Sequence, residues 1–166
     1  TEGVIRVATD PQDYSLTSRY YSTQSGQFSA SRVFQVYEDR AGNEWILSDN
    51  GLGMLAPGEK SPVFYFAETA EREKKGGQAF YSCLEHGPEI YFGSDNGRVW
   101  RYQKESGQFL LLSLPVSSHI VSINHIDGNE IILTTSKDGF FTYKCDTKKT
   151  EHFPACLLYT SPSPRD

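Results

Sequence analysis

Apolar and polar residues alternate in short bursts along this chain, and the clearest burst runs from Val33 to Leu55. Phe34 and Val36 alternate with polar neighbours, and the pattern breaks at Glu38-Asp39-Arg40-Ala41-Gly42-Asn43. It restarts at Trp45-Ile46-Leu47, turns through Ser48-Asp49-Asn50-Gly51 and resumes at Leu52. Period-two alternation bounded by Gly, Asn and Asp predicts antiparallel strands joined by tight turns. Related patterns recur at Ala79–Trp100 and Ile120–Thr142, and the glycine closing the second turn gives the register: Gly51, Gly97 and Gly139 lie 46 and 42 residues apart. Gly3 adds a fourth mark, 48 residues before Gly51, so the chain is expected to begin in the middle of a unit.

A period of this length predicts propeller blades of four strands each. The first complete blade is expected to use Val33–Tyr37, Glu44–Leu47, Leu52–Leu55 and Val63–Phe66. The second uses Phe80–Leu84, Glu89–Gly93, Val99–Gln103 and Phe109–Leu112, and the third uses Val121–His125, Glu130–Thr134, Gly139–Lys144 and Thr150–Phe153. Val4–Val7 and Tyr20–Ser22 supply the third and outer strands of a partial blade at residues 1–28. The fold class is therefore all-β, an antiparallel propeller fragment of about three and a half blades, with blades near residues 33–67, 79–114 and 120–153. The polar run at residues 68–77 reads as a solvated crossing between blades, with a turn of helix as the alternative.

The residues of the first burst resemble the repeat of the two-component regulator propellers, the sensor portion of hybrid histidine-kinase systems common in Bacteroidetes. Glu38, Asp39, Gly42, Asn43, Trp45, Ile46, Gly51 and Leu52 carry the match. The second copy has Tyr91 where the first has Trp45, the third has Ile131 or Ile132, and neither keeps the Glu-Asp pair. The resemblance covers nearly all of Thr1 to Phe153. It implies an extracytoplasmic sensor on the periplasmic side of a membrane-anchored bacterial protein, which binds a small polar, often glycan-derived ligand and signals through a membrane helix to a kinase. It also implies that Trp45 fills space between blades, a reading preferred here to a sugar-stacking anchor. The remaining blades of the same chain are expected partners, as is a second copy of the full-length protein. Two other classes stay open: a protein-interaction scaffold, and a fragment of a propeller lyase or glycoside-active enzyme.

Residues 156–166, Cys156-Leu157-Leu158-Tyr159-Thr160-Ser161-Pro162-Ser163-Pro164-Arg165-Asp166, break the repeat. They are identical to a translation of the adapter used in transposase-based sequencing libraries, and are read as a non-native tail; a natural Ser/Pro-rich linker is the alternative. Without them two cysteines remain, Cys83 on an inner strand and Cys145 expected on an outer strand, both read as buried thiols.

Charge narrows the partners. A net charge of −5 with no basic run excludes the positive footprint that nucleic acids require. No stretch of 18 apolar residues is present. Catalytic signatures are missing: there is no G-x-S-x-G elbow, no H-E-x-x-H and no phosphate loop. No cofactor, no metal site and no catalytic residue is expected, since His86, His119, His125 and His152 have no partner at local ligand spacing. The Ser94–Trp100 segment resembles the S-x-D-x-G-x-x-W box of sialidase-type propellers with one residue fewer, a structural turn in which the Asp side chain bonds nearby amides.

Binding is expected where the outer-to-inner loops and the second-to-third-strand loops emerge together. Those loops hold Arg32, Asp49, Asn50, Asp95, Asn96, His119, Lys137 and Asp138. Their mixture of charges and amides suits a polyhydroxylated or weakly charged ligand, an oligosaccharide among them, better than an apolar one. Asp and Asn before Gly also serve tight turns for backbone reasons, so Arg32, His119 and Lys137 are the stronger candidates.

Overall fold

The computed structural model describes residues 4–9 and 16–21 as backbone strands, and residues 32–66 and 78–155 in full. Gly3, the 68–77 crossing and the 156–166 tail lie outside the described residues. β1 (Val4–Thr9) and β2 (Leu16–Tyr21) form an antiparallel pair. β3 (Val33–Glu38), β4 (Glu44–Ser48), β5 (Gly51–Leu55) and β6 (Val63–Tyr65) make the first complete sheet. β7 (Phe80–His86), β8 (Glu89–Ser94), β9 (Arg98–Gln103) and β10 (Gln108–Ser113) make the second. β11 (Ile120–Asp127), β12 (Glu130–Thr135), β13 (Phe140–Lys144) and β14 (Lys149–Phe153) make the third. Every sheet is an antiparallel meander in chain order, and the sheets meet along their first strands, β3 against β7 and β7 against β11. This is the predicted propeller fragment, with most strand ends within a residue or two of expectation.

The landmark glycines have a physical cause. Gly97 has φ +65° and Gly139 φ +81°, left-handed values that side chains rarely adopt. The chain leaving each outer strand also passes directly over them. A Cβ on Gly97 would lie 2.5 Å from the Val116 carbonyl oxygen, and one on Gly139 would run into the Phe153 carbonyl. Gly97 N–H donates to Ser118 O at 2.8 Å, and Leu114 N–H donates to Gly97 O at 2.9 Å, so the outer strand is tied back to the turn.

Apolar burial sits in the seams between blades. In the first seam Trp45 and Leu47 pack on Phe80, Ile90 and Phe92 of the second blade. The Trp45 ring lies 4.9 Å from both Phe92 and Tyr102 and is fully buried, so it is core. Tyr91 does the same work in the second seam, against Ile120, Ile123, Ile131, Leu133 and Phe141. Because Ile131 points back into that seam, Ile132 is the third-blade counterpart of Trp45.

Two buried carboxylates lock the first seam. Asp39 Oδ1 accepts from the Ala41 and Asn43 N–H groups at 2.9 Å each, and Oδ2 accepts from Asn43 Nδ2 and Trp45 Nε1 at 2.9 Å each. The Asp-x-x-Gly-Asn-x-Trp spacing is thus a single hydrogen-bonded turn that holds the indole. Glu85, from the second blade, accepts from Tyr37 Oη at 2.8 Å, from Arg40 N–H at 3.0 Å and from Lys104 Nζ. It joins the end of β3 to the end of β7.

Two expectations need correction. Cys145 lies in the turn between β13 and β14, half-buried, because the third strand ends at Lys144. Of the two cysteines among the described residues only Cys83 is buried, and desolvation pushes its thiol up to about 12, which keeps it protonated and unreactive at neutral pH. The Asp95 carboxylate accepts from Ser94 Oγ at 3.3 Å; the amide-binding role expected of it belongs to Asp39.

Candidate functional site

All three inner strands carry the same irregularity near their start. Val33 pairs with Ser48 and Gln35 with Leu47, leaving Phe34 unpaired; Tyr81 and Val121 are the extra residues of the equivalent bulges. A bulge re-aims its side chain and commonly lies beside a site. Here Phe34 is 40% and Val121 44% exposed despite sitting on the innermost strands.

Two of these bulged residues build a ladder across three blades. The Phe34 and Tyr81 rings lie 4.8 Å apart at 41°, and the Tyr81 and His119 rings 4.9 Å apart at 42°. The Arg32 guanidinium carbon lies 5.9 Å from the Phe34 centroid, at cation–π range. Arg32 N–H donates to Asp49 Oδ1 at 3.1 Å, and Arg32 Nε lies 3.8 Å from Asp49 Oδ2. Burial, reinforced by the Asp95 carboxylate, raises the Tyr81 phenol above its ordinary value, so its hydroxyl stays a donor through the neutral range. The result is a row of three rings, Phe34 and His119 exposed and Tyr81 half-buried, with a guanidinium at one end and carboxylates along one side.

The expected site residues divide between this row and the turns. Arg32, Asp49 and His119 come together with Phe34 and Tyr81, and Asp95 lies close enough to act on the Tyr81 hydroxyl. Asn50 N–H donates to Ser48 Oγ at 3.2 Å, and Asn96 takes φ 52°, as turn residues do. Asp138 accepts from Ser118 Oγ at 2.5 Å and is structural, whereas Lys137 is exposed beside it. Sequence reasoning missed Phe34 and Tyr81. Their signal was an apolar residue on each phase at a strand's start, Val33-Phe34 and Phe80-Tyr81, where strict alternation allows only one.

A second pairing joins the opposite ends of two inner strands. The His86 and His125 rings stack 5.4 Å apart at 23°; His86 Nε2 is 2.9 Å from Asn129 Oδ1, and His125 Nε2 is 3.0 Å from Gly128 O. Local spacing could not show this contact, since the two residues lie 39 positions apart. Among the described residues no group of three or more His, Cys, Asp or Glu side chains is placed to hold a metal ion.

No protein-family model matches the chain, and no curated protein matches it. Solved structures do. The extracellular domain of BT4673 from B. thetaiotaomicron, described both as a one component and as a hybrid two component system, superposes with a TM-score of 0.70 at 18% identity. That match covers 93% of this chain and 20% of that one. The extracellular domain of the hybrid two component system BT3049 from the same organism gives 0.59 at 17%, covering 82% and 20%. PorZ, a surface component of the type-IX secretion system of Porphyromonas gingivalis, gives 0.63 at 16%, covering 93% and 24%. The chain thus spans about a fifth of the length of the extracellular domains it matches. At these identities the likeness establishes the propeller fold, which hosts many activities.

Proposed function

We propose that this chain is part of the extracytoplasmic sensor propeller of a two-component signal-transduction regulator, and that its ligand is a polyhydroxylated, glycan-derived molecule bound over the aromatic ladder. The observation that carries the reading is the placement of Phe34, Tyr81 and His119 in one row, two of them raised by matching bulges, with Arg32, Asp49 and Asp95 around it and Lys137 exposed next to Ser136, which bonds His119. Flat apolar faces cover the carbon–hydrogen faces of a sugar, and the surrounding charges and the Tyr81 hydroxyl meet its hydroxyl groups. No residue of the row is assigned chemistry; the site binds and does not transform. Similarity to extracellular domains of two component systems supports the sensor role and an extracytoplasmic, membrane-anchored setting.

The test uses the full-length protein, calorimetry and a panel of neutral and acidic oligosaccharides. A binding member should lose about tenfold or more in affinity on Phe34→Ala with Tyr81→Ala, each stacked ring being worth about 1 kcal/mol. The triple change Arg32→Ala, His119→Ala and Lys137→Ala should weaken binding with little change in melting temperature. Unaltered affinity in both variants would remove this face from consideration.

A further inference from the structure

A separate cleft opens in the outer part of the second seam, toward the turns between third and fourth strands and away from the ladder. It encloses about 140 Å³ and is lined by Tyr91, Arg101, Leu110, Leu112, Tyr143 and Lys148, among others. That volume is well below the roughly 300–1,000 Å³ of drug-sized pockets, so its ligand is small. The floor is rigid: Tyr91 and Tyr143 are buried, with rings 6.0 Å apart. Arg101 is held from below, its Nε 3.3 Å from Glu89 Oε1, while Glu89 Oε2 accepts from Tyr91 Oη at 2.7 Å. Leu110 and Leu111 give the cleft an apolar lip, 39% and 48% exposed.

Lys148 is the informative residue. Its φ is 56°, and its N–H closes the turn to Lys144 O at 2.7 Å. The second blade has the same turn, closed by the Gly107 N–H to Gln103 O at 2.8 Å, with Gly107 at φ 68°. Glycine adopts this backbone freely, whereas a side chain there is strained. The third blade thus carries a lysine where the second has glycine, which puts an ammonium at the rim of the cleft, and among the described residues no carboxylate pairs with it. Glu89 is matched by Arg101, so the charge left at the cleft is positive in a chain of net charge −5.

We propose that this cleft binds a small organic monocarboxylate, its carboxylate held between Arg101 and Lys148 and its apolar body lying on Leu110, Leu112 and the Tyr143 ring. The site is independent of the ladder, and its ligand is an acid of about benzoate's size.

Benzoate and neutral benzyl alcohol are titrated into the full-length protein and followed by ligand-detected NMR. Benzoate should bind saturably and benzyl alcohol far more weakly. Lys148→Gly should lower benzoate affinity about tenfold, the worth of one charge-assisted contact, while thermal stability stays level or rises as the strain is relieved. Leu110→Glu, which puts a negative charge on the lip, should abolish benzoate binding, and the Phe34→Ala, Tyr81→Ala variant should retain it. Absence of saturable benzoate binding, equal affinity for the alcohol, or undiminished affinity in Lys148→Gly would overturn the proposal.

Discussion

Asp39 shows how one side chain can organise a blade. Burial alone would raise its carboxyl, but donation from the Trp45 indole, from Asn43 and from the Ala41 N–H outweighs this and holds it below the usual carboxylate range. Glu85 is in the same position: burial raises it, and Lys104, Tyr37 and the Arg40 N–H lower it further. Groups with depressed folded values contribute stability that is fully present above their unfolded values, near pH 4, and is lost as pH falls through the folded ones. Acid unfolding followed by tryptophan fluorescence should therefore steepen below about pH 4. Asp39→Asn keeps the shape but loses the ionised acceptor. It should cost about 2–4 kcal/mol at neutral pH, because buried donors lose their partner, and it should flatten the dependence between about pH 4 and 2. An acid limb as steep as that of the unsubstituted protein would show that Asp39 is not the group being titrated.

At the level of strands and turns, the sequence carried most of the fold and only part of the site. Turn chemistry and alternation are local, so the strands fall close to where the residues place them, and the landmark glycine marks a real backbone need. Gly97→Ala should cost about 2 kcal/mol or more, adding left-handed strain to collision with the Val116 carbonyl. Denaturant unfolding would measure it, and a neutral Gly97→Ala would mean that the 4–1 connection simply shifts away. The bulges at Phe34, Tyr81 and Val121 left only an indirect trace, an apolar doublet at each strand's start, because the extra residue itself is fixed only when its partner is known. Reading the loops named Arg32, Asp49 and His119, which the fold brings beside the ladder, yet it did not name the rings between them. Nor could it separate Asp138, spent on Ser118, from Lys137 beside it.

In the whole molecule, each blade is completed by its neighbour, since the apolar residues of one sheet are buried by the next. The two ends of the described arc differ in this respect. On the first blade Ile46 and Leu55, on the face away from the second, are each 1% exposed. On the third blade the corresponding outward face is open: Phe140 and Phe153 are 36% and 37% exposed and stack on each other at 4.7 Å, with half-buried Ile132 at the Trp45 position. Two phenylalanines and an isoleucine on one sheet face form a surface that a further blade would cover, and β14 beside it is an exposed edge strand. A net charge of −5 over 166 residues offers little repulsion against pairing. The isolated 166-residue chain should therefore self-associate, its sedimentation coefficient rising with concentration, and Phe140→Ser with Phe153→Ser should reduce that rise. A chain that stays monomeric and unfolds cooperatively well above about 60 °C would show that this face needs no cover.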